Sequence, residues 1–174
     1  ALQIWAEDKQ VERSWPYVSC LLEQAPDTFS LKLDHSICWW LRGVAKSAKG
    51  VDERLLGLCR RFLSLPRTET VRDELIGWAI NHPVGIITGA LVDWWYKQSP
   101  QPGAGLPESL KTMFTDLCNP ANVSYRAGRV ILASHAISLY RTDEACATQC
   151  LAPLFAWCRS ADDARVPWSR FLWS

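Results

Sequence analysis

The chain has 174 residues, enough for one domain with a substantial core or for a few repeats of a larger array. Hydrophobic residues make up 48% and charged residues 21%, a balance that excludes a disordered chain. A formal net charge of +1 provides no global field to gather nucleic acid or an anionic membrane, which leaves only a local basic patch for such a role.

Apolar residues recur at steps of three and four along most of the chain, which predicts helices. Phe29, Leu33, Ile37, Trp40 and Leu41 fall on one face of a helix that starts at Pro26-Asp27 and is interrupted near its end by Gly43. Val51, Leu55, Leu58, Phe62 and Leu65 form a second stripe, with Asp52 and Glu53 in the first turn and Pro66 as the stop. Val71, Leu75, Trp78 and Ala79 mark a third helix, ending around Asn81-His82. Pro83 opens a fourth, with Ile87, Leu91, Trp94 and Trp95 on one side. Gly85 and Gly89, four apart, offer a small surface for another helix to approach.

Residues 98–106 read as the clearest loop, rich in Pro and Gly. Pro107 opens a helix with Leu110, Met113, Phe114 and Leu117 inward, and Asn119-Pro120 breaks it. Residues 125–140 carry Val130-Ile131-Leu132-Ala133 and Ala136-Ile137, and the pattern predicts a central helix that is apolar nearly all round. Asp143 is a suitable N-cap for a segment with Ala147, Cys150, Leu151, Leu154 and Cys158 on one face, where Pro153 predicts a kink or restart. No segment alternates cleanly enough for a strand.

Turns at Pro26, Pro83 and Pro120 each precede a helix with an aromatic-rich end, at Trp39-Trp40, Trp94-Trp95-Tyr96 and Leu139-Tyr140. A fourth turn is suggested at Ser160-Ala161-Asp162. The expected fold is therefore all-α: stacked helical hairpins forming an irregular, HEAT-like or solenoid-like array. Residues 1–174 are expected to form a single helical domain. The start at Ala1 and the three aromatics in the last seven residues suggest a fragment of a longer chain.

Chemistry is sparse. The seven cysteines (Cys20, Cys38, Cys59, Cys118, Cys146, Cys150 and Cys158) are odd in number and scattered, which fits buried free thiols in a reducing cytoplasm better than a disulfide framework. Cys146 and Cys150 share a helical face with Cys158, but core packing explains that spacing without zinc. His35, His82 and His135 fall on separate helices; His82 suits a cap and His135 the core. Ser134-His135 cannot pair as nucleophile and base, because adjacent helical residues point about 100° apart. Gly103-Ala104-Gly105 has no preceding strand and no following Lys-Ser/Thr, so it is no phosphate loop. No signal peptide and no membrane span is legible. No catalytic, cofactor-binding or metal-binding residue is assigned, and no cofactor is expected.

Ten tryptophans are many for this length. Trp40, Trp78 and Trp94 belong to the packing stripes. Trp39 and Trp95 cannot fully share their neighbours' direction, which makes these two the candidate partner-binding residues.

The second half carries a resemblance. His82-Pro83-Val84-Gly85, Arg126-Ala127-Gly128-Arg129-Val130-Ile131-Leu132-Ala133, Leu151-Ala152-Pro153-Leu154-Phe155-Ala156-Trp157 and Trp168-Ser169-Arg170-Phe171-Leu172-Trp173-Ser174 resemble the uncharacterised helical domain that follows sirtuin-like domains in large bacterial anti-phage defence proteins. The resemblance covers about half the chain and rests on packing motifs. It implies a cytoplasmic, non-catalytic module whose parent carries an NAD-consuming sirtuin-like domain upstream. The expected function is interaction or regulation, with a protein partner or another domain of the parent chain. The alternative is a nucleic-acid-binding helical array using Arg60, Arg61, Arg67, Arg126 and Arg129, with tryptophans as stacking surfaces.

Overall fold

A computed structural model describes residues 10–47, 53–67, 75–156 and 161–172. Its secondary structure is all-α, with no strand among the described residues. The chain divides into two compact units. One comprises residues 1–68 and 86–99, the other 69–85 and 100–174. None of the described helices is long and apolar enough to cross a membrane.

The first unit contains α1 (Gln10–Gln24), α2 (Asp27–Lys32), α3 (Asp34–Ser47) and α4 (Glu53–Ser64). It also holds most of α6 (Pro83–Lys97). Helix α1 packs on α3 and α4, and α3 on α4. Ile37, Trp40, Leu41 and Val44 of α3 meet the core stripe Leu55, Leu58, Phe62 and Leu65 in the buried interior. Trp15 of α1 stacks on Trp40 at 5.7 Å between centroids. The Trp40 indole N–H donates to Ser14 Oγ at 3.3 Å, so this large ring is buried with its one donor satisfied.

The helix expected from Pro26 to Gly43 is in fact two. Leu33 (φ −113°, ψ 9°) leaves helical geometry, and α3 restarts at Asp34 and runs through Gly43 to Ser47. The break leaves Phe29 and Leu33 exposed instead of on the core stripe. Asp34 is buried at the start of α3 and takes two bonds from Arg67, Nε to Oδ2 at 2.6 Å and Nη2 to Oδ1 at 2.9 Å. Arg67 also donates to the carbonyls of Phe62, Leu63 and Leu65 at the end of α4. An acidic group thus sits at one helix start and a basic group at another helix end, each where the helix dipole favours it. Arg61 performs a similar service for α1, donating to the Leu22 and Ala25 carbonyls and, at 2.9 Å, to Asp27.

Val84, Ile86, Ile87, Ala90, Leu91, Val92, Trp94 and Trp95 of α6 are all buried, as is Thr88. This helix, rather than residues 125–140, is the one apolar nearly all round.

The second unit contains α5 (Leu75–Asn81), the first residues of α6, α7 (Glu108–Cys118) and α8 (Arg126–Ser134), followed by α9 (Ala136–Thr142), α10 (Glu144–Cys150) and α11 (Ala161–Leu172). Short 3-10 turns occupy Val123–Tyr125 and Ala152–Phe155. Helix α8 is central, in contact with α5, α7, α9 and α11. Its buried set is Ala127, Gly128, Val130, Ile131, Leu132 and Ala133. The long helix expected over 125–140 is broken at His135 (φ −111°, ψ 11°), and beyond it Ile137 and Tyr140 are exposed.

Several local expectations hold. His82 Nδ1 accepts from the Val84 N–H at 3.3 Å, a capping role, and its ring lies 4.7 Å from that of Trp78. Asp143 caps α10 by accepting from Cys146 N at 3.0 Å. Its other oxygen accepts from Leu106 N and pairs with Lys111 Nζ, both at 3.0 Å. The chain restarts at Pro153 as the 3-10 turn. Val51 and Val71, the Ser160 turn residue, and Cys158, Trp157 and Trp173 lie outside the described residues.

A candidate docking face and a thiol cluster

Helix α3 turns Ile37, Trp40, Leu41 and Val44 inward, so His35, Trp39, Arg42 and Lys46 share the opposite face at three- and four-residue steps. Of the two predicted partner-binding residues, Trp39 is on that face and half-buried. Its indole N–H donates to His35 Nε2 at 3.3 Å, and the two rings meet edge to face at 6.4 Å. From the other side the Arg42 guanidinium lies 5.6 Å from the centre of the Trp39 ring. Arg42 is itself held by Asp93 of α6, Nε to Oδ2 at 2.8 Å. Gly89 makes room for this crossing: a Cβ there would stand 3.0 Å from the Arg42 guanidinium carbon. The indole is therefore fixed between two neighbours on its own helix before any partner arrives.

Trp95 is different. It is 1% exposed, so in this chain it presents no surface, and its assignment as partner-binding is corrected. On a helix with one apolar face, adjacent tryptophans would point in different directions. With apolar residues around the whole helix, adjacent tryptophans can both be buried. Trp40 and Trp94 are buried as expected, and Trp78 is half-buried against His82.

Gly85 and Gly89 both let another helix approach closely, as expected. A Cβ at Gly85 would lie 1.8 Å from the Ala79 carbonyl oxygen, so there the close approach is by the backbone of α5. Gly103 and Gly105 take positive φ (74° and 78°). Their N–H groups donate to the Arg141 and Thr142 carbonyls at 2.9 Å, which fastens the loop to the end of α9. Three of the arginines considered for nucleic acid are held by the protein's own backbone carbonyls: Arg61 and Arg67 as above, and Arg129 by Leu117, Asn119 and Asn122.

In the second unit three thiols converge, a grouping the sequence concealed because Cys118 is far from the other two in the chain. Helix α7 ends at Cys118 and packs on α10, which carries Cys146 and Cys150. The Cys146 and Cys150 sulfurs are 3.9 Å apart. The neighbouring Cys118 side chain, and then Cys146, favour the Cys150 thiolate and bring its pKa down to about 7. Interaction with Cys150, and then burial, raises Cys118. Burial pushes Cys146 up to about 12. The cluster thus releases one proton near neutrality and holds the others. Cys38 and Cys59, by contrast, are raised by burial and isolated from solvent. Cys118 also forms part of the wall of a cavity of about 260 Å³ with Arg126, Arg129, Val130, Pro153 and Leu154.

No protein family, curated protein or solved structure was found to match this chain.

Proposed function

We propose that the chain is a non-catalytic helical interaction module whose docking face is the solvent side of α3, centred on Trp39. The observation that carries this reading is the fixed indole, held by His35 on one side and by Arg42 on the other. Partner binding often concentrates on a few Trp, Tyr and Arg residues, and a side chain already ordered loses little entropy on association. His35, Arg42 and Lys46 around the ring suit a partner surface that offers apolar area bordered by acidic groups. The resemblance of the second half would place that surface on another domain of a bacterial defence protein, a sirtuin-like domain upstream. The helical-array description belongs to the same proposal, with the hairpins as a scaffold for the face.

The test is the affinity of this chain for the remainder of its parent polypeptide. Trp39→Ala is expected to weaken binding at least tenfold, which corresponds to about 1.4 kcal/mol. Tyr17→Ala, an exposed aromatic on α1, is expected to change it less than twofold. Equal affinities for wild type and Trp39→Ala would remove the docking face.

A further inference from the structure

We propose that the cavity beside α8 binds a small organic anion, with its apolar body on the cavity floor and its charged head against Arg126 and Arg129. The cavity lies wholly within the second unit, where the end of α7 and the two 3-10 turns meet α8 and α11. Its volume of about 260 Å³ is that of roughly nine water molecules in the liquid, which suits a ligand of about ten non-hydrogen atoms.

The walls divide the ligand's chemistry in two. Cys118, Val130, Ala164 and Val166 are all buried and form an apolar floor. Pro120 and Val123 are exposed and mark the mouth. An entering molecule therefore buries an apolar part and keeps one end near water. The polar side of the wall is cationic. Arg126, Arg129 and Val130 stand at three- and four-residue steps on α8 and share one face of it. Among the described wall residues there are two guanidinium groups and no carboxylate.

Other donors contribute little. Pro120, Pro153 and Pro167 have no N–H, and the N–H groups of Leu154 and Ala156 donate to the Leu151 and Pro153 carbonyls. Hydrogen bonding to a ligand thus falls chiefly to the arginines. Arg129 is set in place by its Nη1, which donates to the Asn119 and Asn122 carbonyls at 3.0 and 2.9 Å. Those acceptors are neutral, and a planar fork of five donors can hold the chain and an anion together. Arg126 opens α8, where the helix dipole also favours negative charge. An inorganic anion would leave the apolar floor uncovered, and a neutral apolar molecule would gain nothing from the guanidinium groups. An anion with an apolar body uses both halves of the site.

The experiment is methyl-detected NMR of the full chain near neutral pH, titrated with sodium octanoate to about 10 mM, a range suited to so small a ligand. The Val130 and Val166 signals should shift together and saturate, while Val44 and Val92 in the core of the first unit stay in place. 1-Octanol, the same body without the charge, should bind at least tenfold more weakly, and sodium sulfate should shift neither signal. Arg126→Ala should weaken octanoate at least tenfold, and Leu154→Trp, which fills the cavity from its half-buried wall, should abolish binding. Urea midpoints report whether each variant is folded, and the comparison of octanoate with octanol on the wild-type chain needs no variant. Unmoved Val130 and Val166 signals, equal affinity for octanoate and octanol, or undiminished affinity in folded Arg126→Ala or Leu154→Trp would each overturn the proposal.

Discussion

Replacing Arg67 by Ala strikes the most constrained charge in the first unit. The Arg67 and Asp34 side chains are 8% and 10% exposed and joined by two bonds of 2.6 and 2.9 Å. Removing one partner of a buried pair strands the other charge, a cost of about 3–5 kcal/mol. The substitution also strips donors from the last carbonyls of α4. A domain is stable by only about 5–15 kcal/mol, so much of the unit's stability is at stake. Arg54–Glu23 is the internal control, because its side chains are 44% and 45% exposed and such pairs contribute about 0–1 kcal/mol. Urea unfolding followed by tryptophan fluorescence, to which the stacked pair Trp15 and Trp40 contributes, compares Arg67→Ala with Glu23→Ala. The double change Asp34→Leu/Arg67→Met should lose less than either single truncation, since no charge is left buried. An Arg67→Ala cost as small as that of Glu23→Ala would refute the reading of a buried, tightly coupled pair.

Two glycines four residues apart should respond to Ala in opposite directions. Gly85→Ala drives a Cβ into the Ala79 carbonyl, a backbone atom that cannot step aside, and should destabilise the second unit by about 2–3 kcal/mol in urea unfolding. Gly89→Ala meets only the end of the Arg42 side chain, which can yield, so the helix propensity gain of up to about 1 kcal/mol should prevail. Asp143 links stability to pH. Hydrogen bonds from Leu106 and Cys146, with the Lys111 ammonium, hold its carboxyl below the usual 3.8. Its contribution is fully present above pH 3.8 and lost as pH falls through the lower folded value. Asp143→Asn should therefore lower the urea midpoint at neutral pH and converge on wild type in strong acid; a constant gap across that range would contradict the linkage.

The sequence carried helix identity well because periodicity and proline stops are local. It misjudged continuity where one residue leaves helical geometry, at Leu33 and His135, since neither is a Gly or Pro that would announce a break. The role of Arg67 was hidden for a different reason: its partner Asp34 is 33 positions away, and no local pattern pairs them. The outward placement of Trp39 was legible because the helical stripe put its neighbour Trp40 inward. Trp95 was not, because the same logic fails on a helix buried on every side. The thiol cluster required the packing of α7 on α10, which only the tertiary fold provides.

Hydroxyl-radical footprinting of Trp39 tests the docking face most directly. The half-buried indole should oxidise in the free chain, while buried Trp40 and Trp95 report the intact fold. On addition of the remainder of the parent polypeptide, Trp39 oxidation is predicted to fall at least severalfold with Trp40 and Trp95 unchanged. Undiminished Trp39 oxidation in a saturated complex would contradict the account.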